Sequence, residues 1–183
     1  MLKKCLKLCL LLTLVCVLPS IAQTQNLRGL GGEKFTATLI GYEEVPALST
    51  TGFGTFSLTI DPSDTFFDYQ VSYSSFVGNV TQSHIHIAQK GVNGGIMVFF
   101  CTNLGNGPPG TQLCPGPTSG SVSGRITAAN VGAGAAAQGI AAGEFAEVLA
   151  AIRAGTVYAN VHSTVFPGGE IRGQLLPDIS PKL

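Results

Sequence analysis

Short runs in which every second residue is apolar recur along the mature part of this chain, each closed by glycine, proline, asparagine or aspartate. A period of two places alternate side chains on opposite faces of an extended segment, so such a run is a half-buried strand. Lys34–Ile40 sets Phe35, Ala37 and Leu39 on one face, and Gly52–Ile60 does the same with Phe56, Leu58 and Ile60. Asp61-Pro62-Ser63-Asp64 is turn chemistry, since proline presets φ and aspartate bonds its own backbone; alternation resumes over Phe66–Tyr73. Further strands are expected in Asn79–Gln89, in the continuous apolar run Ile96–Cys101, and in Gly120–Thr127. Thr156–Val165 and Glu170–Leu176 flank Phe166-Pro167-Gly168-Gly169, a hairpin signal. One segment departs from the pattern. Glu144–Ala154 carries Phe145, Val148, Leu149 and Ile152 at helical spacing, with Gly155 at the stop position. Ala128–Gly139 is rich in alanine and glycine and weakly patterned. Many short strands with frequent turns predict an all-β sandwich or barrel, with one short helix near residues 144–154 as a crossover.

The chain has 183 residues, of which 45% are hydrophobic and 11% charged, enough apolar side chains for one real core. Its start does not belong to that core. Lys3, Lys4 and Lys7 precede an apolar stretch from Leu8 to Leu18, and Ser20-Ile21-Ala22 offers small residues at the peptidase positions. This layout predicts a secretory signal over 1–22. The apolar stretch falls short of the roughly 20 residues a spanning helix needs, and no later segment is long enough. Residues 23–33 read as a mobile entry, 34–177 as the β domain, and 178–183 as a tail. The expected location is outside the cytoplasm: extracellular, or periplasmic or envelope-bound in a bacterium. With the signal removed, seven basic residues face ten acidic ones. That balance, with the basic residues scattered, excludes a nucleic-acid footprint.

Cys5, Cys9 and Cys16 lie in the predicted signal; Cys101 and Cys114 remain, and an oxidising compartment makes a disulfide their default state. The bridge would staple the loop Thr102–Leu113, which contains Gly-Asn-Gly-Pro-Pro-Gly.

The three histidines of the chain carry the chemistry. His84 and His86 are separated by one residue on a predicted strand, so they share a face with Cβ atoms about 7 Å apart. His162 lies in a strand of the predicted hairpin. If the two strands are neighbours, three imidazoles converge, a donor set suited to copper or zinc. The alternative is three hydrogen-bonded histidines on a sheet. Glu170 and Arg172 share a face of the last strand, with Glu170 expected near Val165 and Arg172 near Ser163, either as a structural charge pair or as support for His162. Glu43 and Glu44 are adjacent on an extended segment and point apart, which argues against a cooperating acid–base dyad. Asn79-Val80-Thr81 is a glycosylation sequon, of consequence only in a eukaryotic secretory pathway.

From Phe35 to Leu176 the chain resembles the CHRD (chordin-type) domain family. The likeness rests on Gly41 with Glu44-Val45-Pro46, on Ser83-His84-Ile85-His86, and on Gly91-x-x-Gly94. It continues through Ala154-Gly155-x-x-Tyr158-x-Asn160-Val161-His162-Ser163 and Pro167-x-Gly169-Glu170-Ile171-Arg172-Gly173-Gln174-Leu175. The resemblance implies an immunoglobulin-like or Greek-key architecture and an exported module. The cysteine-rich modules of chordin have no counterpart, so growth-factor capture does not carry over. A fainter likeness is to copper/zinc superoxide dismutase. It sets His84, His86 and His162 against three copper ligands, while the bridging histidine and the zinc ligands have no match. The first expectation is therefore a secreted, non-catalytic module that binds an extracellular protein or matrix component, adhesion included. The second is a copper-type redox protein using the three histidines.

Overall fold

The computed structural model describes residues 32–180; the predicted signal, most of the 23–33 entry and the end of the tail lie outside them. Nine strands form one antiparallel sheet: β1 Glu33–Ile40, β2 Phe53–Ile60, β3 Phe67–Ser74, β4 Val80–Ile87, β5 Gly95–Thr102, β6 Gly120–Ile126, β7 Val157–Ser163, β8 Ile171–Gln174 and β9 Leu176–Pro177. Among the described residues the single α-helix, α1, spans Phe145–Arg153. The fold is thus all-β with one short helix, as the alternation predicts.

The spatial order is β5-β4-β7-β8-β1-β2-β3-β6, with β9 added beside β1. Strand β7 returns to lie next to β4 after β4, β5 and β6 have been laid down, which is a Greek-key path. Strands β5 and β6 end the order, and the sheet curls until they face each other. The disulfide loop fills the seam between them. Gln112 makes a parallel bridge to Cys101, and the Thr102 N–H donates to its carbonyl at 2.9 Å. The Gln112 side chain crosses to β6 and donates to Ser123 O at 3.0 Å. Further along the seam, the Gly132 N–H donates to Met97 O. Cys101 and Cys114 are bonded, so the loop that closes the barrel is itself closed.

The core lies inside the barrel. Leu39, Phe56, Leu58, Ile60, Phe67, Val71, Ile85, Phe100 and Ile171 point inward and are essentially inaccessible. The rings of Phe56 and Tyr69 pack on Phe100 with centroids 5.0 and 4.3 Å apart. Helix α1 adds Phe145, Val148, Leu149 and Ile152 to this core, its Phe145 ring stacked on Phe67. Arg153 in its last turn pairs with Glu33 at 2.9 Å and Asp64 at 2.6 Å, fastening the helix to the start of β1 and to the β2–β3 turn.

Two expectations for the C-terminal strands need correction. The predicted run Glu170–Leu176 is two strands: β8 pairs with β7 and β9 with β1, the break falling at Leu175, whose amide donates to Val157 O. The hairpin register also differs. Arg172 pairs with Asn160 rather than lying near Ser163, because Ser163 and Thr164 turn away to bond Phe166 O and Asn79 O. Glu170 accordingly bonds across to Val161 O instead of lying by Val165. Among the described residues no helix is long and apolar enough to cross a membrane.

Candidate metal centre

On β4 the inward residue Ile85 separates His84 and His86, so both imidazoles stand on the outer face of the barrel wall. Strand β7 runs antiparallel beside it with His84 opposite Asn160, His86 opposite Tyr158 and Gln82 opposite His162. The outward residues of β7 are therefore Tyr158, Asn160 and His162. Pairing with β5 is irregular between Ser83 and His84 and again between Ile85 and His86; such bulges re-aim side chains. The outcome is that one ligand atom from each of His84, His86 and His162 lies within 4.8 Å of the others.

An outer wall is ordinarily wet, yet this one is covered. His84, His86 and His162 are 0%, 7% and 5% exposed. Phe99 on β5 meets the His84 ring edge-on at 4.3 Å. Arg172 reaches over the sheet and donates to Val92 O at 2.7 Å and Asn93 Oδ1 at 2.9 Å, and Asn93 in turn donates to Val45 O. Two loops, one before β5 and one after β1, are thereby tied together, and the first reaches His86 through Gly94 O. The Arg172 guanidinium lies 3.4 Å from the centre of the Tyr158 ring, and His86 stacks on Tyr158 at 4.7 Å.

Hydrogen bonds fix which nitrogens are free. The His86 Nδ1–H donates to Gly94 O at 2.9 Å, and the His162 Nδ1–H donates to Pro167 O at 2.9 Å. Carbonyls only accept, so in neutral His162 Nε2 carries the lone pair, while in His86 it does so only with the Asn160 carboxamide turned to present its NH2 to Nε2. His162 Nε2 has no hydrogen-bond partner, and neither nitrogen of His84 makes a hydrogen bond of good geometry, although the Asn160 side chain lies close enough to raise its proton affinity. His86 Nε2 lies 3.1 Å from Asn160 Oδ1. Burial, reinforced by the neighbouring rings of His162 and His86, pushes His84 down to about 2. Burial likewise brings His86 to about 4 and lowers His162. Burial thus favours the neutral form of all three imidazoles, the form in which a ring nitrogen ligates.

The acidic candidates behave differently from the histidines. Glu170 is fully buried, and its Oε1 accepts from Thr50 Oγ1 at 2.8 Å and Val77 N at 2.9 Å. It holds the loop after β1 against the β3–β4 connection, and no ion pair joins it to Arg172 among the described residues. Glu43 and Glu44 do diverge: Glu43 pairs with exposed Lys90, while Glu44 turns inward against Gly169. Burial pushes Glu44 up to about 7 against the opposing charge of Arg172. Sequence reasoning passed over Tyr158, Asn160, Phe99 and the carbonyls of Gly94 and Pro167. The parity of Tyr158-x-Asn160-x-His162 was a usable signal for the first two; the carbonyls depend on loop paths that carry no such pattern.

No curated protein and no solved structure matches the chain. The CHRD domain model matches residues 35–175. That span runs from β1 to the residue between β8 and β9 and takes in all three histidines, and the chain belongs to the CHRD domain family.

Proposed function

We propose that this protein is an exported CHRD module that binds a single d-block metal ion through His84, His86 and His162, and that it holds the ion rather than turning over a substrate. The observation that carries the reading is the convergence of neutral, buried imidazoles whose lone-pair nitrogens largely lack protein partners. A buried unsatisfied polar atom costs about 1–3 kcal/mol, and a bound cation is the natural recipient of the unpartnered lone pairs of His84 and His162, with His86 beside them. Gly94 O and Pro167 O support the centre as outer partners do in metalloproteins, by fixing tautomer and ring direction. Export is supported by the signal layout at 1–22 and by the Cys101–Cys114 disulfide. A holding role is supported by the cover: Phe99, the tied loops and the low exposure of all three rings leave a substrate little approach to a bound ion.

The test is metal analysis of the mature domain expressed with export. One equivalent of copper or zinc is expected in the purified protein or after reconstitution, and none in a variant with His84, His86 and His162 all replaced by leucine. A folded wild-type domain that takes up neither metal would defeat the proposal.

A further inference from the structure

Resting on that reading, we infer that the centre selects a monovalent ion, copper(I), over the divalent ions zinc(II) and copper(II). The argument starts from the donors. Three neutral imidazoles bring no negative charge, and among the described residues no carboxylate or thiolate joins their cluster. The oxygens that touch the rings are neutral as well: the Asn160 carboxamide and the carbonyls of Gly94 and Pro167. The acids lie outside the cluster: Glu170 Oε1 accepts from Thr50 and Val77, Glu43 pairs with Lys90, and Glu44 is buried beside Gly169.

The surroundings are also unfavourable to positive charge. Arg172 is 2% exposed, and its guanidinium lies against the same Tyr158 ring on which His86 stacks. The desolvation penalty of an ion scales with the square of its charge, so burying a dication here costs about four times what burying a monocation does. Repulsion from Arg172 doubles as well. No carboxylate in the cluster repays either cost.

Geometry points the same way. Zinc(II) in proteins takes four ligands in a tetrahedron, and copper(II) prefers a tetragonal arrangement. Phe99 stands over His84, and water has little access to a fourth position. A filled d shell with a single charge is content with three nitrogen donors in a near-trigonal plane. The rings need to draw in from their 4.8 Å spread to close on the ion, which asks His86 Nε2 to exchange its contact with Asn160 for the ion while His162 pivots about its single anchor at Nδ1.

The experiment is a pair of competition titrations on the metal-free mature domain. Copper(I) is delivered anaerobically against bicinchoninate, and zinc(II) against a chromophoric chelator, with X-ray absorption on the copper-loaded form. Expected are one copper(I) per chain, an affinity roughly a thousandfold or more above that for zinc(II), and a shell of three nitrogens without sulfur. The single variant His84→Leu, verified as folded by circular dichroism, should lose most of the copper(I) affinity. Zinc(II) binding within tenfold of copper(I), or a four-donor shell, overturns the selectivity while leaving the metal-binding reading intact. Binding of neither ion removes that reading and the selectivity with it.

Discussion

At the scale of single residues, the outer wall of the barrel is governed by groups buried in unusual protonation states. Glu44 shows the consequence most directly. It is 7% exposed, and burial lifts its carboxyl to about 7 from an ordinary 4.5. A raised carboxyl means that the folded state holds its proton more tightly than the unfolded chain does. Below pH 4.5 both states are protonated and nothing is lost. Between 4.5 and 7 the unfolded chain ionises first, so stability falls as pH rises, and above 7 the loss is complete. The span corresponds to about 3 kcal/mol. Replacing Glu44 by glutamine removes the ionisation but retains the shape. In the metal-free protein, E44Q and wild type should therefore match near pH 4, with E44Q becoming the more stable by about 3 kcal/mol at pH 8. Urea denaturation across that range measures it. A constant offset at every pH would show that Glu44 does not titrate where its burial implies.

At the scale of elements, the decisive feature is the seam between β5 and β6, closed by a loop rather than by direct strand pairing. Gln112 bonds to both edges, and the Cys101–Cys114 bridge holds it between them. The two cysteines are 13 residues apart, and restricting a loop of that size in the unfolded chain is worth about 3 kcal/mol. A Cys101→Ala/Cys114→Ala variant should lose about that much unfolding free energy, and amide exchange should rise first at Thr102 and its neighbours on the seam. A loss below about 1 kcal/mol would mean the loop closes the seam unaided. Strands β1, β2, β3 and β6 were readable from alternation because they bury one face and wet the other, whereas β4, β5, β7 and β8 are buried on both faces and were read from apolar runs and turn residues. Helix α1 was readable for the matching reason, with Phe145, Val148, Leu149 and Ile152 on one stripe. What alternation does not encode is register. The break at Leu175 and the turn of Ser163 and Thr164 away from β8 are decided by backbone groups, which every residue carries alike, and the bulges that re-aim His84 and His86 belong to the same class.

At the scale of the whole molecule, two kinds of burial sit back to back across one sheet. The barrel interior is apolar and carries the fold; the outer wall of β4, β7 and β8 is polar and is kept dry by loops. The His-x-His pair and the parity of His162 made three co-facing imidazoles a reasonable expectation, but their enclosure was not legible, because it depends on Arg172 reaching loops about 80 residues away in sequence. Enclosure without satisfaction is what separates a binding centre from a structural network. A structural histidine is hydrogen-bonded, and its loss destabilises; His84 is wholly inaccessible, with neither nitrogen bonded. Replacing such a group by an apolar one of similar volume removes an unmet desolvation cost of about 1–3 kcal/mol. Metal-free His84→Leu should therefore be more stable than wild type by that amount, with an unchanged denaturant slope. Copper(I) at a hundred times its dissociation constant should then raise the wild type by about 2.7 kcal/mol through mass action and the variant by far less. The order of stabilities should narrow or invert between the metal-free and loaded forms, and paired denaturation curves under anaerobic conditions would record it. If His84→Leu is instead the weaker protein in both states, the ring is holding the sheet together, and the centre is a piece of architecture rather than a site.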